Sequence, residues 1–338
     1  MGPSYTSLSP IADTERCVNL VPEAVESGKG PSPAVLYNTP GLSAFASLTT
    51  GGPVTALATM GGRTFAVAGS QFSEVSSVGV VTARGAVLAS SRRATISTNG
   101  QSGDQVFVTV GGLAYCYDLT DNSLVAVAPG AGGDTLGGAF VDGYFLAFSS
   151  AGFSFSALED GTDWDALDVA QRSSAGDPIV WGAVAHREVW LFGQETTEAW
   201  YNTGDSDNPF QPVPGSLMDQ GAIGPTVTAA DNTLLWVGQN RQGGGIAYRA
   251  QGYLPVRIST HAVEAAWQRY DTMADARAWT YELFGHVYYV VTFPTAEATW
   301  VYDVATGLWH EWSYRNPTTN ASEAHRGWCH TFTGTRHL

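Results

Sequence analysis

Four carboxylates crowd one stretch of the chain: Glu195, Glu198, Asp205 and Asp207. Paired carboxylates can serve as acid and base, or acid and nucleophile, on a glycosidic bond when the fold sets them about 5 to 9.5 Å apart. Sequence spacing does not fix that distance, and the plainer reading is solvated charge on a hairpin. The seven histidines are dispersed; His325 and His330 lie five apart and His310 sits in Trp309-His310-Glu311, none of them in a metal-ligand pattern with a carboxylate partner. Gln242-Gly243-Gly244-Gly245 offers backbone donors as a phosphate loop would, but no Lys-Ser/Thr follows, which favours a hairpin tip. Cys17, Cys116 and Cys329 are far apart and odd in number, so they make neither a disulfide framework nor a CxxC metal site. No G-x-S-x-G nucleophile elbow occurs. The expectation is no catalytic, cofactor-binding or metal site, and no cofactor.

Ser156-Ala157-Leu158-Glu159-Asp160-Gly161-Thr162-Asp163-Trp164 approaches the Asp-box turn of sialidases, Ser-x-Asp-x-Gly-x-Thr-Trp. Here Asp160 and Gly161 are adjacent and Trp164 follows Asp163, so the spacing differs. An Asp-box is in any case structural, since its carboxylate caps backbone donors. A tight Asp-Gly turn pinned by a buried tryptophan is the expected arrangement.

Such residues must be positioned by something, and the chain repeats itself. Strand pairs begin as GGRTFAVAGSQFSEV, GDQVFVTVGGLAYCYDL, DGYFLAFSSAGFSFSAL, HREVWLFGQETTEAWYN, DNTLLWVGQNRQGGGIAYR and FGHVYYVVTFPTAEATWVYD. With Phe65, Phe107, Phe145, Trp190, Leu235 and Tyr289 taken as equivalent, the steps are 42, 38, 45, 45 and 54 residues. That is close to the period of a β-propeller blade. Both faces of each first strand carry hydrophobes, a Gly-bearing or polar turn follows, and an aromatic-rich strand returns. A lone sheet of this kind cannot cover its faces, so the sheets must stack, each burying the next one's aromatics; Trp190, Trp236 and Trp300 are expected between blades. The fold expected is an all-β, seven-bladed β-propeller over residues 34–338, with six blades evident between 61 and 314 and the last one, opening at Gly327 to Phe332, incomplete.

Around that repeat lie segments of other character. Residues 1–33 hold Pro3, Pro10, Pro22, Pro31 and Pro33 and are expected to run as an extended arm. The stretch Ala34 to Leu48 is expected to supply one strand to a blade completed elsewhere. Val263, Ala266, Trp267 and Tyr270 have helical spacing, and Thr272-Met273-Ala274-Asp275 has the form of a capping box. These predict a short helical insertion near 260–280, decorating a loop and available to partners. A ring stopping inside a repeat would leave sheet edges bare, so the expectation is that the chain is part of a longer protein, with closure by N-terminal strands as the other solution.

Composition narrows the function classes. Charged residues are 14% of the chain, against about 25% in an average soluble domain. Gly numbers 39 and Trp 11, as in a turn-rich, aromatic-packed β protein. With 31 acidic and 16 basic residues the net charge is -15, which excludes wrapping nucleic acid by phosphate neutralisation or docking on an anionic membrane. An acidic passage through which DNA slides without sticking still fits. No apolar run reaches the length of a spanning helix, the longest being Val287 to Phe293, and no basic segment followed by an apolar core opens the chain. A protein without a membrane anchor, assembled in a reducing cytoplasm, is expected. The opening Met1-Gly2-Pro3-Ser4-Tyr5-Thr6 fits a loose myristoylation pattern that Pro3 and the lack of a basic patch weaken. Asn320-Ala321-Ser322 is a glycosylation sequon, relevant only on secretion.

Several motifs in order carry a resemblance. Cys17-Val18-Asn19-Leu20-Val21-Pro22-Glu23, Tyr37-Asn38-Thr39-Pro40-Gly41-Leu42, Asp160-Gly161-Thr162-Asp163-Trp164, Thr197-Glu198-Ala199-Trp200-Tyr201-Asn202-Thr203-Gly204 and Thr299-Trp300-Val301-Tyr302-Asp303 succeed one another. Together, from about residue 17 to the end, the chain resembles the tail accessory or packaged-DNA stabilisation proteins of short-tailed phages, also called tail hub or nozzle proteins. The resemblance implies a propeller in a symmetric, sixfold ring below the portal and adaptor, in the virion tail. It further implies that the protein retains packaged DNA, forms part of the exit channel through which DNA passes as cargo, and meets needle, tailspike or fibre proteins. Family members continue past the last blade into a further β region, which puts ring formation and the attachment surface in question here.

The residues and the resemblance point to a non-enzymatic structural tail protein. The alternative is a sialidase-like propeller that binds or cleaves host glycan with exposed tryptophans and the acidic hairpins; a cellular propeller scaffold is the third. A glycosidase would need convergent carboxylates in one funnel, which is the feature that separates the first two.

Overall fold

The computed structural model describes residues 16–24, 34–100, 103–130, 134–206, 208–239 and 244–338. Asp207, the tip residues Gln242 and Gly243, the opening six residues and most of the expected arm lie outside them. Every pairing between two strands among the described residues is antiparallel. The architecture is an all-β propeller of six blades.

β1 (Leu20–Ala24) and β2 (Ala34–Asn38) pair with each other rather than with a blade. Blade one is β3 (Val54–Met60), β4 (Arg63–Ala68), β5 (Gln71–Val75) and β6 (Val81–Ala86). Blade two is β7 (Thr95–Thr98), β8 (Gln105–Val110), β9 (Leu113–Asp118) and β10 (Leu124–Val127). Blade three is β11 (Gly137–Val141), β12 (Tyr144–Phe148), β13 (Gly152–Phe155) and β14 (Val169–Gln171). Blade four is β15 (Ile179–Ala185), β16 (Glu188–Gly193), β17 (Thr197–Asn202) and β18 (Phe210–Pro212). Blade five is β19 (Thr228–Ala230), β20 (Thr233–Gln239), β21 (Gly245–Gln251) and β22 (Leu254–Arg257). After α1 (His261–Trp267), blade six has five strands: β23 (Arg277–Leu283), β24 (His286–Phe293), β25 (Ala298–Asp303), β26 (Leu308–Arg315) and β27 (Ser322–Ala324).

The six sequence repeats are the second and third strands of each blade. Phe65, Phe107, Phe145, Trp190, Leu235 and Tyr289 all lie on second strands and all are buried. Their strands are covered on both faces, as the two-sided hydrophobicity requires. Trp190 and Trp300 are 3% exposed and Trp236 is fully buried.

Blades one to four belong to one unit, Ala44–Pro225 with Trp328–Leu338. Within it the first strands of successive blades lie side by side, β3 by β7, β7 by β11 and β11 by β15. That approach demands small residues. A Cβ on Gly138 would come within 2.6 Å of the Phe107 ring, and one on Gly182 within 2.2 Å of the Phe148 ring. β11 and β15 thus lay bare backbone over an aromatic from the preceding blade. The cores are continuous across blades: Phe65, Phe72 and Tyr117 join blades one and two, and Phe153, Trp200 and Phe210 join three and four.

No seventh sheet forms after blade six. Residues 328–338 make only an isolated bridge, Phe332 with His337, and lie on blade one, where the Thr331 hydroxyl bonds the Thr59 hydroxyl at 3.1 Å. Arg336 stacks over the Phe45 ring at 4.8 Å. The seventh blade expected from Gly327 to Phe332 is therefore incomplete.

Blades five and six, α1 and the β1–β2 hairpin belong to the second unit. The chain before β1 extends the outer side of β26: Val18 bridges Glu311 in parallel, Asn19 N donates to Glu311 O and Glu311 N donates to Cys17 O, both at 2.9 Å. Arg16 adds a two-point ion pair to the Glu311 carboxylate. α1 starts at Thr260, whose hydroxyl accepts from Val263 N, not at the Thr272 box. Ala262, Val263, Ala265 and Trp267 are buried, Trp267 packing on Phe293 and Trp309 with ring centroids 5.3 and 5.5 Å away. The expectation that this segment decorates a loop for partners is corrected over these residues, because its apolar face fills the unit's own core.

Candidate functional site

The acidic hairpin does not assemble an active centre. Glu198, on β17, points inward and is 2% exposed; Trp200 Nε1 donates to it at 2.6 Å and the Ser174 hydroxyl also bonds it. Glu195 is exposed in the turn before β17, and Asp205 is exposed in the loop after it. A strand rises about 3.3 Å per residue, so the six residues of β17 hold Glu195 and Asp205 well beyond the spacing of a glycosidase pair. Sequence reasoning missed the carboxylate that does organise this region. Asp177 accepts from Glu195 N at 2.8 Å, from Thr196 N at 3.1 Å and from the Thr196 hydroxyl at 2.7 Å, and pairs with Arg172 at 2.6 Å. Arg172 is 2% exposed, so the guanidinium is buried with its partner. Burial raises the Asp177 pKa, but the donors and Arg172 outweigh it and hold the carboxyl below its ordinary value. A loop leaving blade three thereby locks the β16–β17 turn of blade four.

The Asp160 turn works in the same way. Asp160 Oδ1 accepts from Thr162 N at 2.9 Å and from the Thr162 hydroxyl at 2.7 Å, which holds its pKa low. Trp164 Nε1 donates to Gly161 O at 2.7 Å, and its ring packs on Phe107 of blade two at 5.3 Å. Gln105, also in blade two, donates to Asp160 at 3.1 Å and accepts from Gly161 N at 2.7 Å. The tryptophan pin was legible; the glutamine, some 55 residues away, carried no local signal. Blade one has a third such clasp, where Arg63 bonds Glu74 through Nε and Nη2 and also reaches Leu119 O, Tyr117 and Asn122 of blade two. Arg63 and Arg84 hold the Glu74 carboxyl low.

Three histidines lie in blade six or just after it, and the described histidines make no ligand set. His286 Nδ1 bonds Asp303 at 2.7 Å, and Asp303, wholly buried, also accepts from Ala305 N and the Thr306 hydroxyl. His310 is wholly buried against Tyr288 and Trp312, neither ring nitrogen has a hydrogen-bond partner among the described residues, and burial pushes its pKa down to about 4. His325, packed against the tilted rings of Trp279 and Trp312, is likewise pushed down to about 4 by burial. His330 faces His337 at 3.0 Å. Among the described residues no group of three His, Cys, Asp or Glu could hold a metal ion. Burial, with Asp160, Asp118 and Asp104 nearby, raises the Cys116 thiol to about 12, which makes it a packing group rather than a nucleophile.

What the polar side chains build is therefore a set of locks between neighbouring blades. Similarity to known proteins agrees with a propeller of this kind. The streptogramin B lyase structure superposes with a TM-score of 0.55 at 12% identity, over 85% of this chain and 89% of that one. Virginiamycin B lyase from Staphylococcus aureus does so with a TM-score of 0.54 at 11% identity, over 83% of this chain and 88% of that one. At such identity the likeness is one of fold alone. No curated protein matches the sequence. A family model described as Bacteriophage P22 Gp10, beta-propeller, matches residues 13–338, nearly the whole length, and the chain belongs to that phage stabilisation family.

Proposed function

We propose that the chain is a structural, non-enzymatic protein of a phage tail, joined to the portal-adaptor complex, that retains packaged DNA and forms part of its exit channel. The observation that carries this reading is the family match over residues 13–338. The fate of the polar groups supports it, since Asp160, Asp177, Glu74 and Glu198 are each spent on locking turns and blades. A ring of such chains, meeting needle, tailspike or fibre proteins, would work by shape: acidic groups facing a passage repel phosphate and leave DNA mobile. The place of action is the virion, after assembly in the host cytoplasm. No helix among the described residues is long and apolar enough to cross a membrane.

The test is a phage carrying a stop codon in this gene, with and without the full chain supplied from a plasmid. Without the chain, heads should package DNA and then lose it, and the chain should be found in purified tails when supplied. Infectious, DNA-filled particles without the chain would overturn the reading.

A further inference from the structure

Phe284 is the most exposed large apolar residue described: it is 92% exposed, at the tip of the β23–β24 hairpin. Its backbone is stranger than its exposure. The Leu283 to His286 pair closes a two-residue turn in which Phe284 has φ 52° and Gly285 φ 83°. Two left-handed residues in a two-residue hairpin call for Asn, Asp or Gly, because a Cβ is strained there and a bulky side chain most of all. Four other first hairpins use the same turn, with all turn residues at positive φ: Gly61-Gly62, Asp142-Gly143 and Asp231-Asn232 obey the preference, and His186-Arg187 departs from it with polar side chains. None of these presents an apolar side chain. Blade six alone among them places a phenyl ring on its turn, in a conformation that costs stability and in a position that buries nothing within the chain.

The tip is also held firmly. Below it Tyr281 stacks on Tyr288 at 5.1 Å, and both pack with Trp279, Trp312 and Val21, while Leu283 closes the cluster from the tip side. The hairpin therefore presents Phe284 on a rigid stalk, which lowers the entropy lost on docking. The exposed charges beside the stalk are acidic: Glu282 lies two residues before Phe284, and Glu23 acts on Tyr288.

We propose that Phe284 is the anchor by which the chain docks on another protein subunit of the tail, its ring entering an apolar pocket with a basic rim. This rests on the reading of the chain as a tail component. A preformed aromatic knob with Glu282 beside it and Glu23 lower on the stalk fits a pocket bordered by Arg or Lys, since such anchors supply most of an interface's energy while rim charges select the partner.

Two changes to the full chain test it, made in the phage described above. p-Benzoylphenylalanine at position 284, irradiated in assembled particles, should crosslink to one other tail subunit, at an apolar site beside basic residues. Phe284→Asn gives the turn the residue it prefers, so the isolated chain should melt at the same temperature or higher. In competition with the unchanged chain in one cell, that variant should enter particles roughly 30-fold less, the ratio for losing an anchor of about 2 kcal/mol. Equal incorporation overturns the proposal, as does a melting point lowered by several degrees, which would make the ring structural. Crosslinking to lipid, with binding to phosphatidylcholine vesicles that Phe284→Asn abolishes, would assign the knob to a membrane and also overturn it. An unchanged chain present in particles while Phe284→Asn competes equally defeats this inference alone; absence of the chain from particles defeats the functional reading with it.

Discussion

At the scale of single residues, the groups whose burial should show in the pH dependence are His310, wholly buried in blade six, and His325, half-buried just beyond it. His310 lies among Tyr288, Trp312 and, further off, Asp303 and His286; burial outweighs the attraction of Asp303 and sets its pKa at about 4, from an ordinary 6.5. His325, under Trp279 and Trp312, is lowered to about 4 by burial alone. Both are neutral in the folded state at pH 5, whereas the unfolded chain protonates them below about 6.5. The unfolded state then holds more protons, so stability is complete above pH 6.5 and falls as pH drops from there toward 4. The loss at pH 5 should be about 2 kcal/mol per histidine. Carboxylates such as Asp160 and Asp177, held low, contribute in a separate window below their ordinary values. Urea unfolding at pH 7 and pH 5 measures the loss, and His310→Phe, which suits the aromatic cage, should remove roughly half of it. An identical pH profile in that variant would show that His310 finds a partner in solution.

At the scale of elements, the blades divide into strands that sequence reveals and strands that it hides. Second and third strands such as Val106-Phe107-Val108 and Tyr115-Cys116-Tyr117 announce themselves because they are buried on both faces. The first strand Gly137–Val141 opens on two glycines, since it lies against its neighbours and over the preceding blade's Phe107, and so it reads as a loop. Outer strands such as Phe210–Pro212 and Leu254–Arg257 carry proline at the sheet edge, where a missing donor does no harm. The clasps follow the same logic: the Asp160 turn was visible as a local motif, but Gln105 and Asp177 act across blades and have no spacing to betray them. Gly182 tests the account of first strands. Its Cβ would fall 2.2 Å from the Phe148 ring, so Gly182→Ala must displace either the ring or β15. Overpacking of this kind costs about 1 to 3 kcal/mol. The variant should unfold at correspondingly lower urea, and a partial rescue by Phe148→Leu would locate the strain in that contact; no loss at all would show that the blades have slack there.

At the scale of the whole molecule, charge decides how the chain treats DNA. The sequence has a single lysine, Lys29, and 15 arginines against 31 acidic residues. Eight of those arginines, Arg16, Arg63, Arg84, Arg92, Arg172, Arg187, Arg249 and Arg257, are already engaged by carboxylates of the chain. Binding to duplex DNA gains its free energy from cations that release counterions from phosphate, and a cation paired with its own carboxylate gives up one interaction to gain the other. A protein that retains a packaged genome could do so by gripping it or by closing a passage around it, and these two modes differ in what the isolated chain should do. The charge balance favours closure: the chain should leave a labelled 30-base-pair duplex unbound at 0.1 M salt, with any dissociation constant weaker than about 10⁻⁴ M, the loose end of ordinary non-specific binding. Fluorescence anisotropy, repeated at 0.05 M salt, makes the measurement. Micromolar binding that weakens steeply with salt would mean that several arginines face phosphate after all, and retention by grip would replace retention by shape.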